Sequence, residues 1–180
     1  MSMLEYFFSI EGDKSIFDGL EILKNPKLCD EYMGKYPVIA ISLKGVDAGS
    51  YSETYKLLVR IINEETRRFQ FLLDSEKLTR IDKMDYEELL DRRMEKDTLA
   101  ISLRKLTTLL EKHYGQKVVV LIDEYDVPLA KAYENGYYDE MVLLTRNLFG
   151  NVLKTNESLA FAVLTGCLRI AKESIFTGLN

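Results

Sequence analysis

The chain has 180 residues, 47% of them apolar, with a net charge of −5 and a pI near 5.1. That is enough for one globular domain with a substantial core, and the acid excess leaves only local basic patches as a route to nucleic acid. Cys29 and Cys167 stand far apart and His113 is the single histidine, so neither a disulfide framework nor a zinc site is expected, and a reducing cytoplasm is the default setting.

Met1 to Ile10 (MSMLEYFFSI) is too short for a membrane span and is interrupted by Glu5, so no membrane partner is expected. It predicts a helix with Met3, Leu4, Phe7 and Phe8 on its apolar face, and Ser2 with Glu5 three residues on fits a capping box. Gly12-Asp13 breaks that helix. A second is predicted from about Lys14 to Leu23, with Ile16, Phe17, Leu20 and Leu23 on one side. Asn25-Pro26 ends it and opens a short third helix through Tyr32.

Val38 to Leu43 (VIAISL), introduced by Pro37, predicts a strand buried on both faces. From Tyr51 to about Leu73 runs the longest amphipathic pattern, with Tyr55, Leu58, Ile62, Phe69 and Leu73 near helical spacing. Its charged residues Arg60, Glu64, Glu65, Arg67 and Arg68 read as a solvated face. Asp74 to Asp97 is the most polar region, with a short helix over Tyr86 to Met94. Its mixed charges fit a surface insertion or subunit contact better than a nucleic-acid arm. Thr98 to Tyr114 predicts a helix with Leu99, Leu103, Leu106, Leu109 and Leu110 inward and Gly115 as its stop. His113 falls in the last turn, where a protonated imidazole would suit the helix dipole.

Lys117 to Leu129, KVVVLIDEYDVPL, organises the rest. Val118 to Ile122 is a run of branched apolar residues too short for a helix, as in a strand of a parallel α/β sheet. It ends in Asp123 and Glu124, at the end of the strand where open α/β sheets bind ligands. Two readings stand on this stretch alone. An apolar strand followed by Asp-Glu is the Walker B pattern of P-loop ATPases, whose first acid helps hold Mg²⁺ and whose second positions the attacking water. Alternatively the acids cap the next helix, and Asp126, two residues before Pro128, fits that role.

A short helix from Val127 to about Glu134, a turn at Asn135-Gly136 and a long helix from Tyr138 to Lys154 follow, then a third buried strand over Ser158 to Thr165 (SLAFAVLT). Strands separated by helical crossovers predict an α/β fold with a three-layer parallel sheet.

The segment AFAVLTGCLRIAKESIFTGLN, together with VVVLIDEYDVPL and KYPVIAISLKGV, resembles the AAA-ATPase-like family, in which this P-loop domain usually precedes a PD-(D/E)XK-type nuclease domain. SMLEYFF is similar to the helix that follows the family's Walker A loop, so the resemblance runs over nearly all of residues 1–180 as one domain. It implies a P-loop NTPase core with ATP and Mg²⁺ as ligands. Asp123 is then the metal-binding acid and Glu124 the catalytic one. Thr165 falls at the position of a polar γ-phosphate sensor, and Arg169 at that of a phosphate contact or a relay to the following domain. As alternatives, Thr165 caps a helix and Arg169 forms a surface salt bridge.

No GxxxxGK[ST] occurs in the 180 residues, and the single Gly-Lys pair, Gly34-Lys35, precedes a strand. The resemblance therefore implies that the chain starts just after its phosphate cradle and stops before a fifth strand, an ATPase core truncated at both ends. Such a piece is expected to be inactive alone and to self-associate through the strand at Ser158 to Thr165, beside which the family's first strand would lie. The other function in view is a non-catalytic α/β interaction domain that uses Asp74 to Asp97 as its contact. Direct nuclease activity lacks the further acid and lysine its motif needs.

Overall fold

The computed structural model describes residues 1–167. Three parallel strands, β1 (Val38–Ser42), β2 (Val118–Asp123) and β3 (Leu159–Leu164), pair in the order β1-β2-β3. Ala40 lies opposite Leu121 on one side, and Leu121 opposite Val163 on the other. The fold is thus α/β with a parallel sheet. Val118 through Ile122 are completely buried, as a central strand made only of branched apolar residues requires. β3 is equally apolar but half-buried along its whole length, because no strand pairs on its far side among the described residues.

Seven α-helices surround the sheet among the described residues: α1 (Ser2–Phe8), α2 (Pro26–Tyr32), α3 (Tyr51–Arg67), α4 (Arg80–Leu89), α5 (Lys96–Tyr114), α6 (Val127–Asn135) and α7 (Tyr138–Leu153). The larger core lies on the face covered by α3, α5 and α7, where Leu58, Ile62, Leu103, Leu106, Leu110 and Leu148 meet Ile39, Ile41, Val120 and Ile122. The other face carries Val38, Val119 and Leu121 and is covered by the N-terminal segment, with the Phe8 ring edge-on to Phe161 at 5.0 Å.

The structure corrects several helix expectations. Lys14 to Leu23 is two 3₁₀ turns, Lys14–Phe17 and Glu21–Lys24, not one α-helix. The Asp13 carboxylate accepts from the amide and hydroxyl of Ser15, and Gly19 at φ +78° turns the chain out of any helix. Ile16, Leu20 and Leu23 stay about 40% exposed, so their helical spacing buries no common face. Ser2 lies inside α1, and the Met1 that precedes it makes no side-chain cap. The helix from Tyr51, capped by Ser50, stops at Arg67 rather than Leu73, and a 3₁₀ turn follows at Gln70–Asp74. At that end the Thr66 carbonyl accepts from the buried Tyr86 hydroxyl at 2.7 Å.

α4 begins at Arg80, ahead of the expected Tyr86, because Thr79 and Asp82 form a reciprocal capping box. Burial pushes the Asp82 carboxyl up, but Lys112 and Thr79 outweigh it and hold the group below its ordinary value. A depressed folded value means stability that is present above the ordinary aspartate range and lost as pH falls through the folded one. Thr79→Ala is expected to lower stability by about 1 kcal/mol at neutral pH, and by less in acid, as read from urea titrations at the two pH values.

His113 also departs from expectation. Burial and the nearby Lys77 lower its pKa, so the imidazole favours the neutral form, with Nδ1 2.8 Å from the Ser75 hydroxyl. The Lys77 ammonium instead donates to the His113 carbonyl and supplies the positive charge at the end of α5.

Nor is the charged side of α3 wholly solvated. Glu65 is only 5% exposed and accepts from the Ala40 amide at 2.8 Å and from Arg68 at 2.9 Å. Arg68 reaches on to Glu5 at 2.7 Å, so one carboxylate and one guanidinium join β1, α3 and α1.

Candidate functional site

Parallel pairing brings the carboxyl ends of all three strands to one rim of the sheet. Ser42 lies opposite Asp123, and the Leu43 amide donates to the Asp123 carbonyl at 2.9 Å. On the other side the Thr165 amide donates to the Ile122 carbonyl at 2.9 Å, and the Thr165 carbonyl accepts from the Tyr125 amide at 3.0 Å. Asp123 is thereby held between two strand ends, by its own main chain on the β1 side and through its neighbours Ile122 and Tyr125 on the β3 side.

Glu124 then leaves the ladder with φ +53°, in the left-handed region that costs a side-chain-bearing residue about 1 kcal/mol. Its amide donates to the Thr165 hydroxyl at 3.2 Å, and that hydroxyl donates in turn to Asp123 Oδ1. The structure therefore brings Asp123, Glu124 and Thr165 together, with Thr165 exposed and both acids half-buried. The Glu124 carboxylate makes no hydrogen bond or ion pair among the described residues. Arg169 lies outside the described residues.

The helix-cap alternative for Asp126 is corrected. Asp126 precedes α6, yet its side chain makes no cap to it. It is 3% exposed and accepts from the Cys167 amide at 2.6 Å, which ties the turn after β3 to the turn after β2. Gly166 is needed between them: a Cβ there would lie 2.7 Å from the Tyr125 ring and 2.8 Å from the Asp126 carboxylate. Burial, helped by Asp126, raises the Tyr125 phenol, so it stays a neutral hydroxyl beside the site. Sequence reasoning missed Asp126 and Gly166 as partners. Their signal was the co-occurrence of IDEYD with TGC, whose facing turns fit only if the second residue of the latter is glycine.

Among the described residues no group of three or more His, Cys, Asp or Glu side chains could hold a metal ion. The donors at the rim are hard oxygens: the Asp123 carboxylate, the Thr165 hydroxyl bonded to it and the Glu124 carboxylate beside them. A small hard-oxygen set of this kind suits Mg²⁺ that arrives with phosphate and keeps much of its own water, rather than a resident transition metal.

An uncharacterized protein from the vnfD 5′ region of Azotobacter chroococcum mcd 1 is similar, with 33% identity over 75 residues. The match covers 37% of this chain and 13% of that protein's length. No solved structure matches. The model of the family described as predicted AAA-ATPase matches residues 1–176, which contain all of the sheet and helices described above, and the chain belongs to that AAA-ATPase-like family.

Proposed function

We propose that this chain supplies the metal-and-water side of an ATP-hydrolysing P-loop module, with Mg²⁺·ATP as substrate. The arrangement of Glu124 carries the reading. It is a half-buried carboxylate without a partner among the described residues, displayed on left-handed backbone next to Asp123 at the end of a buried parallel strand. Strained backbone maintained beside a strand-end crevice is a mark of functional sites.

In this reading Asp123 holds the metal through its coordination shell, with the carboxylate oriented by the Thr165 hydroxyl. Glu124 orients and polarises the attacking water. Thr165 senses the γ-phosphate, since its exposed hydroxyl can exchange the bond to Asp123 for one to a phosphate oxygen. Arg169 contacts phosphate or passes its loss to an attached domain, for which a nuclease-type domain is the candidate. Bound Mg²⁺ would neutralise charge on the β- and γ-phosphates.

The phosphate cradle is a separate requirement, because the 180 residues contain no GxxxxGK[ST]. Backbone amides and the lysine of such a loop make most of the contacts to phosphate. The 180-residue chain alone is therefore expected to release no phosphate from Mg²⁺·ATP. A polypeptide with a strand and a GxxxxGK[ST] loop joined ahead of Ser2 is expected to do so and to lose the activity on Asp123→Ala. Turnover by the 180-residue chain that disappears on Asp123→Ala would overturn the need for a cradle. Failure of the loop-bearing polypeptide to bind Mg²⁺·ATP would leave a non-catalytic α/β interaction domain, with Asp74 to Asp97 as its contact.

A further inference from the structure

A cleft of about 500 Å³, lined by Lys56, Arg60, Asn63, Glu64, Arg67 and Arg92 with Val59, lies between α3 and the chain that follows α4. Its cations contrast with a protein whose net charge is −5. Arg60 is paired with Glu64 at 2.7 Å, whereas Lys56, Arg67 and Arg92 make no ion pair among the described residues. The walls are held in place. Asn63, buried under the cleft, donates to the carbonyls of Leu89 at 2.6 Å and Asp91 at 3.3 Å, and the Tyr55 hydroxyl donates to the carbonyl of Met94. Arg92 thus sits in a short segment anchored to α3 on both sides, facing the row of cations on the helix.

We propose that this cleft docks the sugar–phosphate backbone of duplex DNA, without reading base sequence. The cations are strung along α3 rather than converging on one point. Lys56 and Arg67 stand about 16 Å apart along the axis at 1.5 Å per residue, against one phosphate per about 3.4 Å of each strand. A single small phosphate ligand needs donors that converge. Single-stranded nucleic acid and free nucleotides call for aromatic rings on which bases stack, and among the described residues no aromatic side chain lines the cleft. Exposed guanidinium groups without acidic partners suit phosphate oxygens. The acidic remainder of the surface repels DNA, so this face alone should be presented to it.

The test is fluorescence anisotropy of a labelled 25-base-pair duplex titrated with the 180-residue chain, without nucleotide, at several salt concentrations. The duplex is expected to bind, weakening about 100-fold between roughly 50 and 200 mM salt, as three to four neutralised phosphates imply. The triple variant Lys56→Gln, Arg67→Gln, Arg92→Gln should bind at least tenfold more weakly, with most of the salt slope gone. Lys24→Gln, Lys27→Gln, Lys35→Gln removes the same charge from the N-terminal segment and should bind as wild type. The altered side chains are exposed, and far-UV circular dichroism verifies folding; Arg92→Gln alone, with a salt slope lower by about one, serves if the triple variant is unstable. No binding by the folded chain, equal losses in the two triple variants, or an unchanged salt slope would overturn the proposal. Because no nucleotide is present, any of these leaves the ATPase reading standing.

Discussion

Glu124→Gln, placed in a polypeptide that carries a phosphate-binding loop ahead of Ser2, is expected to bind Mg²⁺·ATP as tightly as the parent and to hydrolyse it about 10²- to 10⁴-fold more slowly. The amide matches the carboxylate in size but can neither accept a proton from water nor polarise it as an anion does. The backbone of Glu124 is set by the bond from its amide to the Thr165 hydroxyl, which the substitution does not touch. Binding and chemistry should therefore separate, with equilibrium titration unchanged and single-turnover rate collapsed. Asp123→Ala should behave oppositely in one respect, since it removes a metal contact and weakens Mg²⁺-dependent binding itself. A Glu124→Gln protein with the parental single-turnover rate would assign Glu124 to structure and withdraw it from the chemistry.

Glu65→Ala is expected to destabilise the fold by about 2–3 kcal/mol, measured as a shift in the urea midpoint at constant slope. Truncation leaves the Ala40 amide without its acceptor and Arg68 with Glu5 alone. Glu65→Gln keeps an acceptor for Ala40 and should retain most of the stability. Burial raises the Glu65 pKa, opposed by Arg68 and the Ala40 amide, so the folded state tolerates the neutral group better than the unfolded state does. The sign follows: the neutral form's contribution is complete below the ordinary glutamate range and is lost as pH rises through the higher folded value. Relative to Glu65→Gln, the parent should therefore be at its best below the ordinary glutamate range and lose ground as pH rises. A parent that instead gains on Glu65→Gln as pH rises would show that the pairing with Arg68 outweighs burial.

The strands were legible because burial on both faces leaves a mark in the chain itself. Val38, Val118 and Leu159 begin runs with no polar side chain until the rim, and the structure starts each strand within a residue of expectation. A helix start was legible where a capping side chain was recognised beside a proline, as at Asn25. Helix expectations failed where periodicity alone was used: Ile16, Leu20 and Leu23 repeat at helical intervals, yet Asp13 and Gly19 impose local geometry that periodicity does not see. The gathering of Asp123, Glu124 and Thr165 follows from parallel strand ends in the order β1-β2-β3, and in the sequence Thr165 was tied to the two acids only through the family resemblance. The role of Asp126 could not be anticipated. Its pull toward the Cys167 amide rather than its own helix depends on how two turns, 41 residues apart, pack in three dimensions. Glu65 was misread for a similar reason, since a charged letter on a helix does not disclose that a strand's amide lies within reach.

That last contact bears on what the protein can build with copies of itself. Outside β1, the main chain of Tyr36 is already bonded to Phe8 and Ile10, and Ala40 to Glu65. Outside β3, a six-residue uncharged segment without proline has no strand beside it among the described residues. Such a rim invites a further strand. One receptive rim, however, imposes a limit that two would not. Two copies joined β3 to β3 about a two-fold axis consume both receptive rims and stop at a closed pair, whereas a sheet open on both sides would propagate into a filament.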